Sequence, residues 1–483
     1  MPSGLIHIRR PAALARLTRA AVLLLAVPAC SPRRPKVGVA DPARGSRSPA
    51  AGPFASTTQI YQDMGLIAAS GGGIPFVGSV GYLAGSAPDT TLVVVAISFP
   101  NRALSFSREG DRYKATYDAR VDLKQGSSTV RHVEAQEVVR VASFKETSRA
   151  DESVIFQQIL SVPPGQYTLA LAVRDAGSVR LSTTEAALQV PRLGEGALGT
   201  PVAVYEATPR GRADSLPSLV ASPRATAVFG RDTSLAVYAE GYGGGGGEEL
   251  RLTASVRGEK GTVLWTDTVA LPRRAGAPGA TMPLYSGTFR VPVARMGVGP
   301  STLVVRRADV SAPSGTPMDS GRTAMFVSFG DDLPVASFDE MLDYLRYFAA
   351  PARLKALRDT SLESRAGAWA AFLRETDPIP GTAVHEGLRD YFGRIQAANL
   401  RYREEGGPGW LTDRGMVYVT LGDPDQLYDQ GAGEISQRGR VQVWDYQRHQ
   451  VRLVFVDMTG FGRWRMNAQS EGEFRALVAR LQR

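Results

Sequence analysis

The chain has 483 residues, 43% of them hydrophobic, one cysteine and a formal net charge of +9. That length asks for about three domains, and a single cysteine excludes both an intramolecular disulfide and a cysteine-based metal cluster. Four arginines without an acid in residues 1–30, and a surplus of four positive charges in residues 31–50, account for eight of the nine charges; the remainder has no basic footprint for nucleic acid.

At the start, Arg9, Arg10, Arg16 and Arg19 precede the apolar run Ala20 to Val27, far shorter than the about 20 residues that span a bilayer. Residues 1–29 read as a secretory signal peptide. Val27-Pro28-Ala29-Cys30 resembles a lipobox, which makes Cys30 the expected lipidation site and first residue of the mature chain; the alternatives are an Ala-x-Ala cleavage near Ala26 or Ala29 with a free Cys30 nearby, or an uncleaved anchor. Residues 30–53, rich in Pro, Ala, Arg, Gly and Ser, read as a flexible tether, having too little apolar surface to offset the entropy of ordering.

From Asp89 to Pro191 short runs rich in Val, Ile, Tyr, Phe and Thr alternate with turn residues, which predicts strands at Thr91 to Phe99, Tyr113 to Leu123, Val130 to Phe144, Ser153 to Val162 and Gln166 to Val173. Arg131 to Val141 also suits a helix by composition. Gly165-Gln166-Tyr167-Thr168-Leu169 resembles the opening of a late strand in immunoglobulin-like sandwiches, and residues 85–192 are expected to form one such domain. A second sandwich is expected over residues 200–330, with strands near Leu235 to Ala239, Leu250 to Val256, Val263 to Leu271, Ser286 to Val293, Ser301 to Arg307 and Thr323 to Phe329. The run Gly243 to Gly247 between them reads as a loop, since it lacks the Lys-Ser/Thr and following helix of a phosphate cradle.

At Ser337 the apolar period changes from two to about 3.6. Phe338, Met341, Leu342, Leu345 and Phe348 make one stripe, and Ser337 with Glu340 has the spacing of a capping box. Further helices are expected over Glu363 to Glu375 and from about Ala383 to Gly406, ended by glycine and proline. The run Met416 to Leu421, with Val417, Val419 and Leu421 on one side, reads as a half-buried strand. Strands at Val441 to Tyr446, Val451 to Asp457 and Arg463 to Met466 follow, with His449 in the intervening turn, and then a helix capped by Ser470 and Glu473. Residues 335–483 are thus an expected α+β domain, helices on a small antiparallel sheet.

Catalytic chemistry finds little support. Histidines at positions 7, 132, 385 and 449 have no metal-ligand spacing, and no Gly-x-Ser-x-Gly elbow is present. Asp423, Asp425 and Asp429 are clustered without the EF-hand spacing. Asp413, Asp423, Asp425 and Asp457 are the carboxylates available for acid–base or glycosidic work, but aspartates in Gly-Asp-Pro-Asp are first of all turn residues.

Gly409-Trp410-Leu411-Thr412-Asp413, with Arg414-Gly415, Gly422 and Pro424-Asp425, resembles the signature of the GWxTD domain family of bacterial envelope proteins. Trp444-Asp445-Tyr446, Phe455-Val456-Asp457, Gly460-Phe461-Gly462 and, upstream, Trp369, Phe372, Asp377-Pro378 and Arg394 fit the same pattern. The family brings no established activity. Two roles follow for the motif. In one, Trp410 buries its ring over a sheet edge, Thr412 and Asp413 accept backbone N–H bonds, and Arg414 pairs with a carboxylate. In the other, Trp410 is a stacking platform, with Asp413 and Arg414 as polar anchors for a peptide or glycan.

The expectation is therefore a mostly β N-terminal part of two immunoglobulin-like sandwiches, followed by a GWxTD-like α+β domain, held to the membrane through lipid at Cys30. Location at the outer membrane, facing the periplasm or the exterior, follows from Ser31 after Cys30. The expected role is non-enzymatic, toward an envelope protein or glycan, without cofactor, metal or nucleic acid. The competing expectation is a secreted hydrolase of envelope polymer working through Asp413 and a second carboxylate.

Overall fold

The computed structural model describes residues 57–482 apart from 70–72, 88, 150–151, 213, 244–246, 259, 275–281, 309–318, 331–334, 336, 381–384, 405–406 and 431–438. The expected signal, Cys30 and the tether lie outside the described residues.

After helix α1 (Thr57–Asp63), the first region contains β1 (Ile67–Ala69), β2 (Phe76–Ala84), β3 (Thr91–Phe99), β4 (Ser107–Glu109), β5 (Arg112–Gln125), β6 (Ser128–Val141), the short helix α2 (Phe144–Thr147), β7 (Val154–Val162), β8 (Gly165–Asp175) and β9 (Leu181–Val190). One sheet runs β1-β2-β3-β7; the other runs β4-β5-β8-β9, with β6 added to β5. Inward residues of both, among them Val93, Val95, Phe156, Val121, Leu169 and Leu171, share one core, the condition for a sandwich. The segment ambiguous between strand and helix is strand β6, antiparallel to β5. Every residue of β3 is buried, because its outer face is also covered: Leu92, Val94 and Ala96 pack on Val202, Val204 and Leu219 of the second sandwich.

That second sandwich contains β10 (Val202–Thr208), β11 (Ser218–Ala221), β12 (Thr226–Val228), β13 (Ser234–Tyr242), β14 (Glu249–Gly258), β15 (Val263–Pro272), β16 (Leu284–Pro292), the one-turn helix α3 (Val293–Met296), β17 (Gly299–Arg307) and β18 (Ser320–Ser328). Its sheets run β11-β10-β13-β16 and β12-β18-β17-β14-β15, with β12 and β18 parallel.

The third region begins with α4 (Phe338–Tyr344), and as expected Ser337 caps it, its hydroxyl accepting the Glu340 N–H at 3.2 Å. Next come α5 (Pro351–Asp359), α6 (Leu362–Thr376), α7 (Glu386–Arg401), α8 (Asp413–Leu421), β19 (Gln426–Gln430), β20 (Arg440–Tyr446), β21 (Val451–Asp457), β22 (Arg465–Met466) and α9 (Ala468–Leu481). The sheet β19-β20-β21-β22 lies beside the helices. The architecture is mostly β followed by α+β.

Two expectations are corrected. Met416 to Leu421 is not a strand but lies within α8. The apolar run Val417-Tyr418-Val419 fits either period, and the N-cap decides: Thr412 Oγ1 accepts the Gly415 N–H at 3.1 Å, which starts a helix. Likewise α9 is capped not by Ser470 but by Asn467, whose Oδ1 accepts the Ser470 N–H at 2.8 Å; the Ser470 hydroxyl instead accepts the Val454 N–H and ties the helix to β21.

No boundary in packing separates the second sandwich from the helices. Phe229 and Phe329 of the sandwich lie 5.8 and 6.3 Å from Phe338, and Phe329 lies 5.0 Å from Trp369 of α6. One buried core runs from Leu252 and Val305 through these rings to Trp444 and Leu477.

Candidate functional site

The motif is built at the end of α7. A 3-10 turn at Gly409–Leu411 follows Pro408, and Gly409 approaches α7 so closely that a Cβ there would stand 2.2 Å from the Ala398 carbonyl oxygen. Asn399 Oδ1 accepts the Trp410 N–H at 3.1 Å. Gly415, in the first turn of α8, faces the same constraint: a Cβ would meet the Gly409 carbonyl oxygen at 1.8 Å. The two glycines thus let α8 fold back against the turn that precedes it.

Between them Trp410 and Thr412 are buried, Asp413 and Arg414 half-buried, and only Leu411 is exposed. Trp410 is 4% exposed, but it does not cover a sheet edge. Its ring packs on Tyr344 at 5.2 Å and Tyr347 at 5.8 Å, with the Arg346 guanidinium 5.1 Å from its centroid. Thr412 Oγ1 caps α8 and also donates to the Gly409 carbonyl at 2.8 Å. Asp413 Oδ2 accepts the Met466 N–H at 2.8 Å, which pins β22 to the start of α8. Among the described residues Arg414 pairs with no carboxylate; it lies between Tyr402 (5.4 Å) and Trp464 (4.7 Å) and donates to Gln442 Oε1 at 3.3 Å. Burial draws its pKa below the ordinary arginine value.

At the far end of α8, Gly422 has φ +85° and closes the helix, donating to the Tyr418 carbonyl and accepting the Tyr446 hydroxyl at 3.0 Å. Half-buried Pro424 follows, and Asp425 Oδ2 accepts the Gln447 N–H at 2.7 Å. The three aspartates considered for a cation have separate partners: Asp423 pairs with Arg401, Asp425 holds Gln447, and Asp429 accepts from Gln442. No group of three or more His, Cys, Asp or Glu suited to a metal occurs among the described residues.

Asp457 is fully buried. Burial pushes its pKa up, but donors from the Gly462 amide, the Thr459 hydroxyl and amide and the Gly460 amide outweigh it, so the carboxyl stays below its ordinary value. This aspartate braces the turn after β21. Of the histidines, His385 caps α7 through Nδ1 and meets Thr376 through Nε2 at 3.0 Å, and His132 pairs with Asp122 on β5.

A second polar centre had no warning in the sequence. Arg210 and Glu240 form a fully buried ion pair where the two sandwiches meet, and Glu240 also accepts the hydroxyls of Tyr238 and Tyr242. Arg210 donates to the Ala84 carbonyl at 2.8 Å, and Tyr242 accepts the Ala84 N–H at 2.8 Å, so the pair is stitched to β2 of the first sandwich.

An inward-turned Gly-Trp-x-Thr-Asp motif, placed where a helical layer meets a small sheet, defines a class of domain by how it is closed. Residues 316–459 match the GWxTD domain as a family, so this chain carries a GWxTD domain. No curated protein matches the chain. Among solved structures, the dimeric latent PorU from Porphyromonas gingivalis is similar at 11% identity and a TM-score of 0.22, over 52% of this chain and 20% of that one. The chain thus spans about a fifth of that protein, and a likeness at this level bears on neither fold nor function. No helix among the described residues is long and apolar enough to cross a membrane.

Proposed function

We propose that the chain is a lipid-anchored protein of the bacterial cell envelope with a non-enzymatic structural or binding role, its sandwiches and GWxTD domain standing away from the membrane on the tether after Cys30. One observation carries the non-enzymatic part: the polar groups of the motif are spent inside the domain, Thr412 on a helix cap, Asp413 on the Met466 amide and Arg414 between two aromatic rings. A hydrolase working through Asp413 needs a second carboxyl turned toward it. Asp423, Asp425 and Asp457 are engaged with Arg401, the Gln447 amide and their own turn instead. The anchored part rests on the arginine-flanked apolar run and on Cys30.

Fractionation of cells carrying the wild type or Cys30→Ser, with intact-mass analysis of the mature chain, tests the anchor. A lipid-modified wild type in the membrane fraction and a released variant support it; an unmodified Cys30 in the mature chain overturns it.

A further inference from the structure

The second sandwich has a feature that neither its packing nor the GWxTD domain uses. In β10, register slips between Val204 and Glu206, leaving Tyr205 in a bulge. Before the bulge β10 pairs with β13, over Val202 to Val204; beyond it β10 pairs with β11 alone. The β10–β11 hairpin therefore parts from the sheet, opening a cleft of about 650 Å³ over β13 and β16. A bulge re-aims a side chain, and here it sets Tyr205 at the cleft, 51% exposed.

The ring is held in place. Its hydroxyl donates to Glu152 of the first sandwich, whose carboxylate is itself fixed by the Ser222 hydroxyl at 3.0 Å and the Arg224 amide at 3.2 Å. An exposed aromatic face with its tilt set in advance gives up little entropy when a ligand stacks on it. Around it the lining is polar: Glu206, Thr208, Thr288 and Arg290, the last braced by Ser234 at 3.1 Å. Glu206 and Arg290 bring opposite charges, which suits a neutral ligand rather than a polyanion or polycation.

The outer edge of β11 is closed to strand addition. The outward Leu219 carbonyl and Ala221 N–H of β11 are both taken by the Gln157 side-chain amide, each at 2.9 Å. In the cleft, the combination of one fixed ring with several hydroxyl, carboxylate and guanidinium groups matches a ligand with apolar C–H faces and many hydroxyls. We infer that this cleft is a glycan-binding site, with Tyr205 as the stacking platform and Glu206, Thr288 and Arg290 as hydrogen-bonding partners of sugar hydroxyls. The inference rests on the reading of the chain as an envelope protein with a binding role, and it names the ligand class.

Calorimetric titration of the full chain with chitotetraose, cellotetraose and maltotetraose tests it. The expected result is saturable binding of at least one of the three, weakened roughly tenfold by Tyr205→Ala and several-fold by Arg290→Gln, with the melting temperature of both variants unchanged. No saturable binding of any of the three, or equal affinity in a folded Tyr205→Ala, overturns the site. Cosedimentation with purified cell-wall sacculi separates the two readings: sedimentation that Tyr205→Ala leaves intact removes the cleft and keeps an envelope-binding protein. An unacylated Cys30 removes the anchor and leaves the titration result to stand by itself.

Discussion

The two sandwiches look alike in strand pattern but are closed differently. The first keeps its core between its own sheets, around Val95, Val121 and Leu171. The second has a core that continues through Phe229, Phe329, Phe338 and Trp369 into the helices and on to Trp444 of the GWxTD domain's sheet. The family match agrees with this continuity, since it begins at residue 316 and takes in β18, the last strand of the second sandwich. Tandem β domains need not be equivalent units: the first is a neighbour, the second is part of the body that the GWxTD motif locks.

The sharpest way to break that contrast is Trp369→Ala. The side chain is fully buried, stacks on Phe372 at 5.3 Å and meets Phe329 edge to face, so its loss should cost about 4 kcal/mol. Urea unfolding followed by probes in each region should show the second sandwich and the helices destabilised together, with the first sandwich unchanged. Next in size is Glu240→Gln, which strands the buried Arg210 and should cost about 3 kcal/mol. Its effect should fall on the join between the sandwiches, and a paired Arg210→Met, Glu240→Leu chain should recover only part of the loss in the same assay, because the Tyr238 and Tyr242 hydroxyls lose their acceptor.

Gly415→Ala drives a methyl against the Gly409 carbonyl and should cost about 2 kcal/mol. Gly393→Ala, at a position in α7 with nothing within 4 Å of the added methyl, should gain about 0.5–1 kcal/mol from helix propensity. Opposite signs in thermal melts of the two variants are the expected outcome.

A pH-dependent effect belongs to Asp457. Its folded pKa lies below the ordinary 3.8, so the stability it supplies is fully present above the unfolded value and is lost as pH falls through the lower folded one. Asp457→Asn should lower stability at neutral pH and flatten the acid limb of stability against pH, measured by urea unfolding from pH 7 downward. An acid limb as steep as that of the wild type would assign that loss of stability to other carboxylates.

Strands were the most legible part of the fold, because runs such as Thr91 to Phe99 and Ser301 to Arg307 carry β-branched residues between clear turns. The edge pieces β1, β11 and β12 and the inner strand β10 were not, being short or set among Gly and Pro. Helix α5 was overlooked although Pro351 at its first turn is an N-terminal signal. In the motif, the residue types pointed either to a turn with a buried Trp410 ring and side chains accepting backbone N–H bonds or to a recognition surface with Trp410 as its platform; the structure buries the ring. The helix after it was misread because three apolar residues in a row carry no period, while the deciding contact is one hydroxyl of Thr412 on the Gly415 amide. Arg414 was expected to meet a carboxylate; it meets rings from α7's C-terminus and β22's approach, a placement set by tertiary packing. The Arg210–Glu240 pair and the Tyr205 cleft depend on residues 30 to 126 positions apart, and only the topology brings such residues together.

Native-state hydrogen exchange on the wild type and Trp410→Ala tests the central claim directly, that the motif locks the second sandwich and the helices into one body. Removal of the Trp410 ring should speed exchange in β14, β17 and β18 together with α4, α7 and α8, leaving β3, β5 and β8 of the first sandwich at wild-type protection. Faster exchange confined to α4, α7 and α8, with β14, β17 and β18 unchanged, would contradict it.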